Sequence, residues 1–237
     1  MVTTFPSETF TYRGRPWHRR VEAFYEHWTL GVDLGQAADY TAVSLLQHVR
    51  EPLDEFREDD KRGILTQKVR ERFNLRGLRR FPLGTSYPDQ VRLVADLLAR
   101  TPDADLAIDQ TGPGAAVGDL FARHGLKPVR VTITGGAEVT KHGQRRFGVP
   151  KSIIVSNIDA RLHCGELRFA KDLPDADTLA DELQNFQRHV TAAGRSIFEA
   201  RASKHDDVVL SVGIALWWAI ERKKHRMKSG HLKGLAY

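Results

Sequence analysis

The residues predict an α/β protein built on a mixed sheet, and three observations carry that prediction. An apolar run over 28–33 ends on Asp33, and after a tight connection a second apolar run follows over 41–49, which reads as a strand and its returning neighbour. From Ser86 onward, helical periodicity alternates with short apolar strands that end in glycine-bearing turns. Val208-Val209-Leu210-Ser211-Val212 opens a run that is apolar nearly all round, the pattern of a buried helix.

The chain has 237 residues, 41% hydrophobic and 28% charged, which suits one large globular domain with flanking arms. We divide it into an N-terminal arm or linker (1–25), a domain over 26–224 and a basic C-terminal tail (225–237). A single cysteine, Cys164, excludes an internal disulfide framework and a cysteine-only metal site. The N-terminus lacks a signal-peptide core, so secretion is not expected. The longest apolar run, 208–220, is too short to span a bilayer, so no membrane partner is expected. Lys and Arg number 36 against 30 Asp and Glu, and the net charge of +6 favours a polyanionic partner.

Taken in order, 1–25 mixes aromatic with basic residues (Tyr12, Arg13, Arg15, Trp17, Arg19, Arg20) and reads as a loosely docked arm. The segment 51–63 reads as a charged loop, and 65–81 as a third strand with basic residues at alternating positions. Pro82-Leu83-Gly84-Thr85 turns the chain. Ser86 or Asp89 then caps a helix whose Val91, Val94, Leu97 and Leu98 share one face. A buried strand over 105–109 ends on Asp109. A helix over 115–124 stops at Gly125, and a strand spans 127–134. The segment 135–150 reads as a flexible basic loop, followed by helices over 151–163 and 177–187. A hairpin over 188–200 turns at 193–195, and the last helix runs from 204 to 224.

Asp33 closing a buried strand is costly unless a positive group meets it, although a turn residue bonding nearby amides would account for it alone. Asp109 repeats the pattern, ahead of Gln110-Thr111-Gly112-Pro113-Gly114. In open α/β sheets ligands gather outside the carboxyl ends of strands. Two strand-end carboxylates side by side raise one another's pKa, so keeping both ionised needs a cation. Asp206 and Asp207 supply a third acidic position at the start of the buried helix. A capping box, Ser203-x-x-Asp206, accounts for Asp206 but leaves Asp207 unexplained. Hard oxygen ligands without a Cys–His cluster point to Mg²⁺ or Mn²⁺. Such sites commonly hold two ions about 3.5–4 Å apart for phosphodiester hydrolysis.

Gly31-Val32-Asp33-Leu34-Gly35 with Asp39-Tyr40-Thr41-Ala42, then Asp109 to Gly114, then His205-Asp206-Asp207 and its apolar helix, resemble the nuclease domain of phage terminase large subunits. The segments 81–88 and 149–151 resemble that family as well, and the likeness keeps motif order from 29 to 218. It implies a ribonuclease H-like fold: three antiparallel strands, then parallel strands, with the first and fourth strands adjacent and helices on the faces. It also implies a two-ion endonuclease that cuts concatemeric double-stranded phage DNA in the host cytoplasm. Asp33, Asp109 and Asp207 would be metal ligands, with Asp206 close behind at the third position. The implied partners are DNA, a packaging ATPase domain, the portal and the small terminase subunit. No Gly-x-x-x-x-Gly-Lys-Ser/Thr segment occurs, so ATPase activity is not expected of this chain, and the resemblance implies a split gene or an excised domain.

Asp39 and His205 are candidates for a supporting role beside the carboxylates. Lys141, Arg145, Arg146 and Lys151 are candidates for phosphate contacts, the first three on the same edge as the carboxylates. Trp217 and Trp218 read as packing residues. Other readings are a junction resolvase or transposase on the same fold, or a catalytically silent module that binds DNA or portal. A sugar-kinase-like ATPase would need a second copy of the Asp-x-Gly motif, and none is present.

Overall fold

The computed structural model describes residues 8–35, 39–101, 103–112, 114–190, 196–200 and 205–232. Side chains are described for all of these except 114–115, 185–190, 196–200 and 223–232. The strands are β1 (Glu8–Tyr12), β2 (Arg15–Arg20), β3 (Tyr25–Asp33), β4 (Ala42–Asp59), β5 (Ile64–Arg80), β6 (Asp105–Asp109), β7 (Val129–Thr134), β8 (Thr140–Gly143), β9 (Arg146–Pro150), β10 (Leu167–Phe169), β11 (Phe186–Val190) and β12 (Ser196–Ala200). The helices are α1 (Tyr87–Ala99), α2 (Gly114–Arg123), α3 (Lys151–His163), α4 (Ala176–Asn185) and α5 (Asp207–Leu232).

The main sheet runs β1-β2-β5-β4-β3-β6-β7-β9-β8, and β10 adds to β5. β4 is antiparallel to both of its neighbours, β3 and β5, whereas β3, β6, β7 and β9 are parallel. The expected adjacency of the first acidic strand and the strand ending on Asp109 is therefore present as β3 beside β6.

Two apolar layers cover the sheet. On one face Leu30, Val32, Val43 and Ile108 meet α1 and α2 through Val91, Val94, Val117 and Phe121. On the other, α5 lies across the sheet and carries both remaining core clusters. Val208 through Ala219 are buried without a break, which is why that stretch is apolar on every side. The approach is close enough that a Cβ on Gly31 would fall 2.2 Å from the Ser211 carbonyl, and one on Gly213 2.3 Å from Ile154. Trp217 and Trp218 pack around Phe147, as expected of core aromatics.

Several expectations need correction. The segment 51–63 is mostly strand: β4 runs on to Asp59, because its acidic residues face basic ones on β5. Lys68 pairs with Glu55 at 2.7 Å, and Arg72 and Arg70 both pair with Glu51. The acidic and basic patches are thus two sides of one ribbon, stabilised by cross-strand charge. Residues 8–20, expected within a loose arm, form a hairpin on the edge of β5, with Trp17 fully buried. The expected loop over 135–150 contains the β8–β9 hairpin, whose β9 extends the parallel sheet. The hairpin expected over 188–200 is present as β11 and β12, while its turn lies outside the described residues. The last helix continues past the expected boundary at 224, to Leu232.

Candidate active site

Register places one polar row across the sheet. Ala42 pairs with Asp33 on one side and Arg80 on the other, and Asp109 follows beside Asp33, one residue on from the Val32–Ile108 pair. Neighbours in register point to the same face, so Asp109, Asp33, Ala42 and Arg80 line up beneath the N-terminus of α5. That helix brings Asp206 and Asp207 onto the row.

The four carboxylates are held in different ways. Asp33 and Asp109 stand side by side at adjacent parallel strand ends, close enough for each to act on the other's ionisation. Burial pushes the Asp33 carboxyl well above its usual range, and the charges of Asp109, Asp206 and Asp207 add to this, opposed by Lys151. Asp109 is raised as well, chiefly by burial, although the Thr111 hydroxyl and amide both donate to its Oδ1. Thr111 Oγ1 in turn accepts from the Ile133 amide at 2.8 Å, which fixes the rotamer of Asp109 against the end of β7.

At the third position the two aspartates separate. Both oxygens of Asp207 accept from Arg80, Nε to Oδ2 at 2.6 Å and Nη2 to Oδ1 at 2.9 Å. Arg80 also donates to Glu182, and Asp175 accepts from its backbone amide. The second Glu182 oxygen accepts from the Val209 amide at 2.8 Å, so a residue of α4 caps α5. Burial, with the nearby Asp207 charge, pushes Glu182 up to about 7 even though Arg80 and that amide pull the other way. Asp206 faces differently: its Oδ2 meets Lys151 Nζ at 2.6 Å. The expected cap from Ser203 lies outside the described residues.

His205 is exposed and sets its ring edge-on to Tyr40 at 5.4 Å, and the Arg80 guanidinium stacks 4.7 Å over the same Tyr40 ring. His205 thus stands beside the acidic row, not in it. Asp39 is exposed, and its backbone lies against Gly35. Beyond Asp33, the Gly35 amide donates to Thr41 Oγ1 at 3.0 Å, and the Gly35 carbonyl accepts from Gln90 at 3.1 Å. These two bonds secure the turn that follows the carboxylate.

Of the four basic candidates, only Lys151 is brought to the carboxylates. β9 runs parallel to β7 from Arg146 to Pro150, so Arg146 enters at the opposite edge of the sheet and Lys151 leaves at the acidic edge. Arg145 pairs with Asp105, at the far end of β6 from Asp109. Lys141 lies midway along β8, opposite Phe147. The expectation that Lys141, Arg145 and Arg146 share the carboxylate edge is therefore not met for the two arginines. The cause is the parallel hairpin strand, which sequence periodicity did not disclose. Arg80 and Glu182 were missed altogether. The signal for Arg80 was its place at the end of the third strand, one strand removed from Asp33; for Glu182 there was none.

Among the described residues no three His, Cys, Asp or Glu side chains stand in a ready-made ion-binding arrangement. The donor set nonetheless fits a hard cation: carboxylate oxygens only, with Asp33 and Asp109 at adjacent strand ends and an ammonium on Asp206.

No family model matches the chain. It is 23% identical over 188 residues to the terminase large subunit of Thermus phage G20c, a match covering 79% of this chain and 31% of the relative. The same figures hold for the terminase large subunit of Thermus virus P23-45. The chain thus spans about a third of the length of the curated relatives it matches. Among solved structures, the large terminase nuclease of thermophilic phage G20c superposes with a TM-score of 0.52 at 21% identity, covering 92% of this chain and 93% of that one. The form of the same nuclease with bound magnesium gives 0.51 at 23% identity, covering 91% and 92%. The ten-stranded mixed sheet and its flanking helices therefore carry the ribonuclease H-like fold of phage large terminase nucleases, the family that the motifs of this chain resemble.

Proposed function

We propose that this chain is a divalent-metal-dependent endonuclease of double-stranded DNA, acting by two-ion phosphodiester hydrolysis as the nuclease part of a phage packaging terminase. The observation that carries the reading is the Asp33–Asp109 pair: adjacent parallel strand ends hold two carboxyls side by side, with the Asp206 charge acting on the same site. Nothing in core packing requires that crowding, and a cation relieves it.

Asp33, Asp109 and Asp206 would hold Mg²⁺ or Mn²⁺. Asp207, with both oxygens on Arg80, would stay behind as the anchor that sets the start of α5. Ions held by these carboxylates would supply activation of a water and charge stabilisation at the leaving oxygen of a phosphodiester. Thr111 orients Asp109, and Arg80 with Glu182 orients the Asp206-Asp207 turn. Lys151 offers positive charge to the phosphate at the same edge. The magnesium-bound relative of the same fold supports the choice of ion.

By its resemblance, the substrate would be concatemeric phage DNA in the host cytoplasm. The motor would come from a packaging ATPase domain, with portal and small terminase subunit as partners. No described helix is long and apolar enough to cross a membrane. The test is supercoiled plasmid incubated with the chain in Mn²⁺, Mg²⁺ or chelator. Nicking and linearisation are expected with either ion, without ATP, and not with chelator. Intact plasmid in Mn²⁺, with the protein shown to be folded, would overturn the reading.

A further inference from the structure

The acidic row is met by two basic side chains that engage it differently. Arg80 is clamped: its guanidinium spans both oxygens of Asp207, bonds Glu182 as well and stacks on Tyr40, and its side chain is only 19% exposed. A planar fork held at several points has no cheap alternative position. Lys151 instead reaches Asp206 through a flexible four-carbon stem. Its ammonium meets Asp206 Oδ2 at 2.6 Å, with 29% of its side chain exposed.

The backbone that carries Lys151 is fixed. Pro150 closes β9 in register with Thr134 and sits before α3 with φ −58. α3 is seated on α5 where Ile154 meets Gly213. The ammonium therefore swings from a rigid base at the edge where Asp33, Asp109 and Asp206 converge, and its charge also acts on Asp33.

We propose that Lys151 is an exchangeable counter-ion that couples ion loading to substrate contact. In the metal-free chain its ammonium neutralises Asp206; when that carboxylate turns to a divalent ion, Lys151 is released to a non-bridging oxygen of the DNA phosphate. The inference rests on the nuclease reading and adds to it a competition: Lys151 opposes ion binding while DNA is absent and assists it once a phosphate is in place. A lysine serving only as a phosphate contact would leave ion affinity in the absence of DNA untouched. One serving only to brace the fold would lower the melting temperature when removed.

The experiment is calorimetric titration of Mn²⁺ into the DNA-free wild type, Lys151→Gln, Lys151→Met and Lys151→Arg, alongside single-turnover plasmid cleavage and the thermal midpoint in chelator. Removing the competing charge is expected to tighten Mn²⁺ binding about tenfold or more in the two neutral variants, the scale on which one adjacent charge shifts a carboxylate equilibrium. Lys151→Arg keeps the charge and is expected to bind Mn²⁺ within about twofold of wild type. Cleavage by both neutral variants is expected to fall despite the tighter ion. Wild-type uptake of Mn²⁺ with the same or weaker affinity in both neutral variants overturns this inference alone. No Mn²⁺ uptake by folded wild type overturns the nuclease reading and this inference with it.

Discussion

Replacing Asp33 by Asn removes a carboxyl that burial, with the charges of Asp109, Asp206 and Asp207, holds well above its ordinary range. A group raised in this way disfavours folding at pH above its unfolded value near 4, increasingly so until the folded value is passed. The metal-free variant is therefore expected to melt above wild type, with a gap that closes at about pH 4 and widens toward neutrality. Each 1 kcal/mol relieved raises the midpoint of a chain of this size by about 2–4 °C. Divalent ions reverse the order. At ~100 times its Kd an ion stabilises the folded chain by about 2.7 kcal/mol, or about 5–11 °C, and the variant, short of one ligand, gains less. The assay is thermal melting from about pH 4 to about pH 8, in chelator and in Mn²⁺, with plasmid nicking in parallel. A variant that melts below wild type in neutral chelator, gains the full Mn²⁺ increment or nicks at the wild-type rate refutes the placement of Asp33.

Two further predictions concern carboxylates paired with buried or half-buried cations. Arg80→Met leaves Asp207 and Glu182 buried without their cation, a loss of about 3–5 kcal/mol that lowers the midpoint by about 6–20 °C. Arg80→Lys keeps the charge but not the fork and should fall between the two; an unchanged melt in both would mean the clamp contributes nothing. At the opposite end of β6, Asp105 is half-buried, which alone would raise it. His27, Trp218 and Arg222 all bond it, however, and bring its pKa far below the usual carboxylate range. Asp105→Asn should cost about 1.5–3 kcal/mol at neutral pH. Because the folded pKa is depressed, that difference is present above about pH 4 and disappears as acid protonates the wild-type carboxylate. A pH-independent difference in denaturant midpoint would contradict it.

The sequence by itself determined the parts whose signals are local. Asp33 and Asp109 were legible because each ends an apolar strand before a glycine-bearing turn, and α5 because twelve consecutive positions reject polar side chains unless they are small. Helix starts at Ser86 and Lys151 were legible for the same reason: a cap or a proline acts within one turn. Tertiary structure decided whatever depends on pairing between distant segments. Residues 51–59 read as a loop because their charges are unfavourable on a lone strand, and they become a strand only opposite Arg70 and Arg72. Arg145 and Arg146 went to the wrong edge because the direction of β9 is set by its bonds to β7, which no local pattern encodes. The partners of Asp206 and Asp207 also depended on the fold. Neighbours in sequence, they diverge at the helix start, one toward Lys151 and the other under Arg80, whose place 127 residues away only the sheet register supplies.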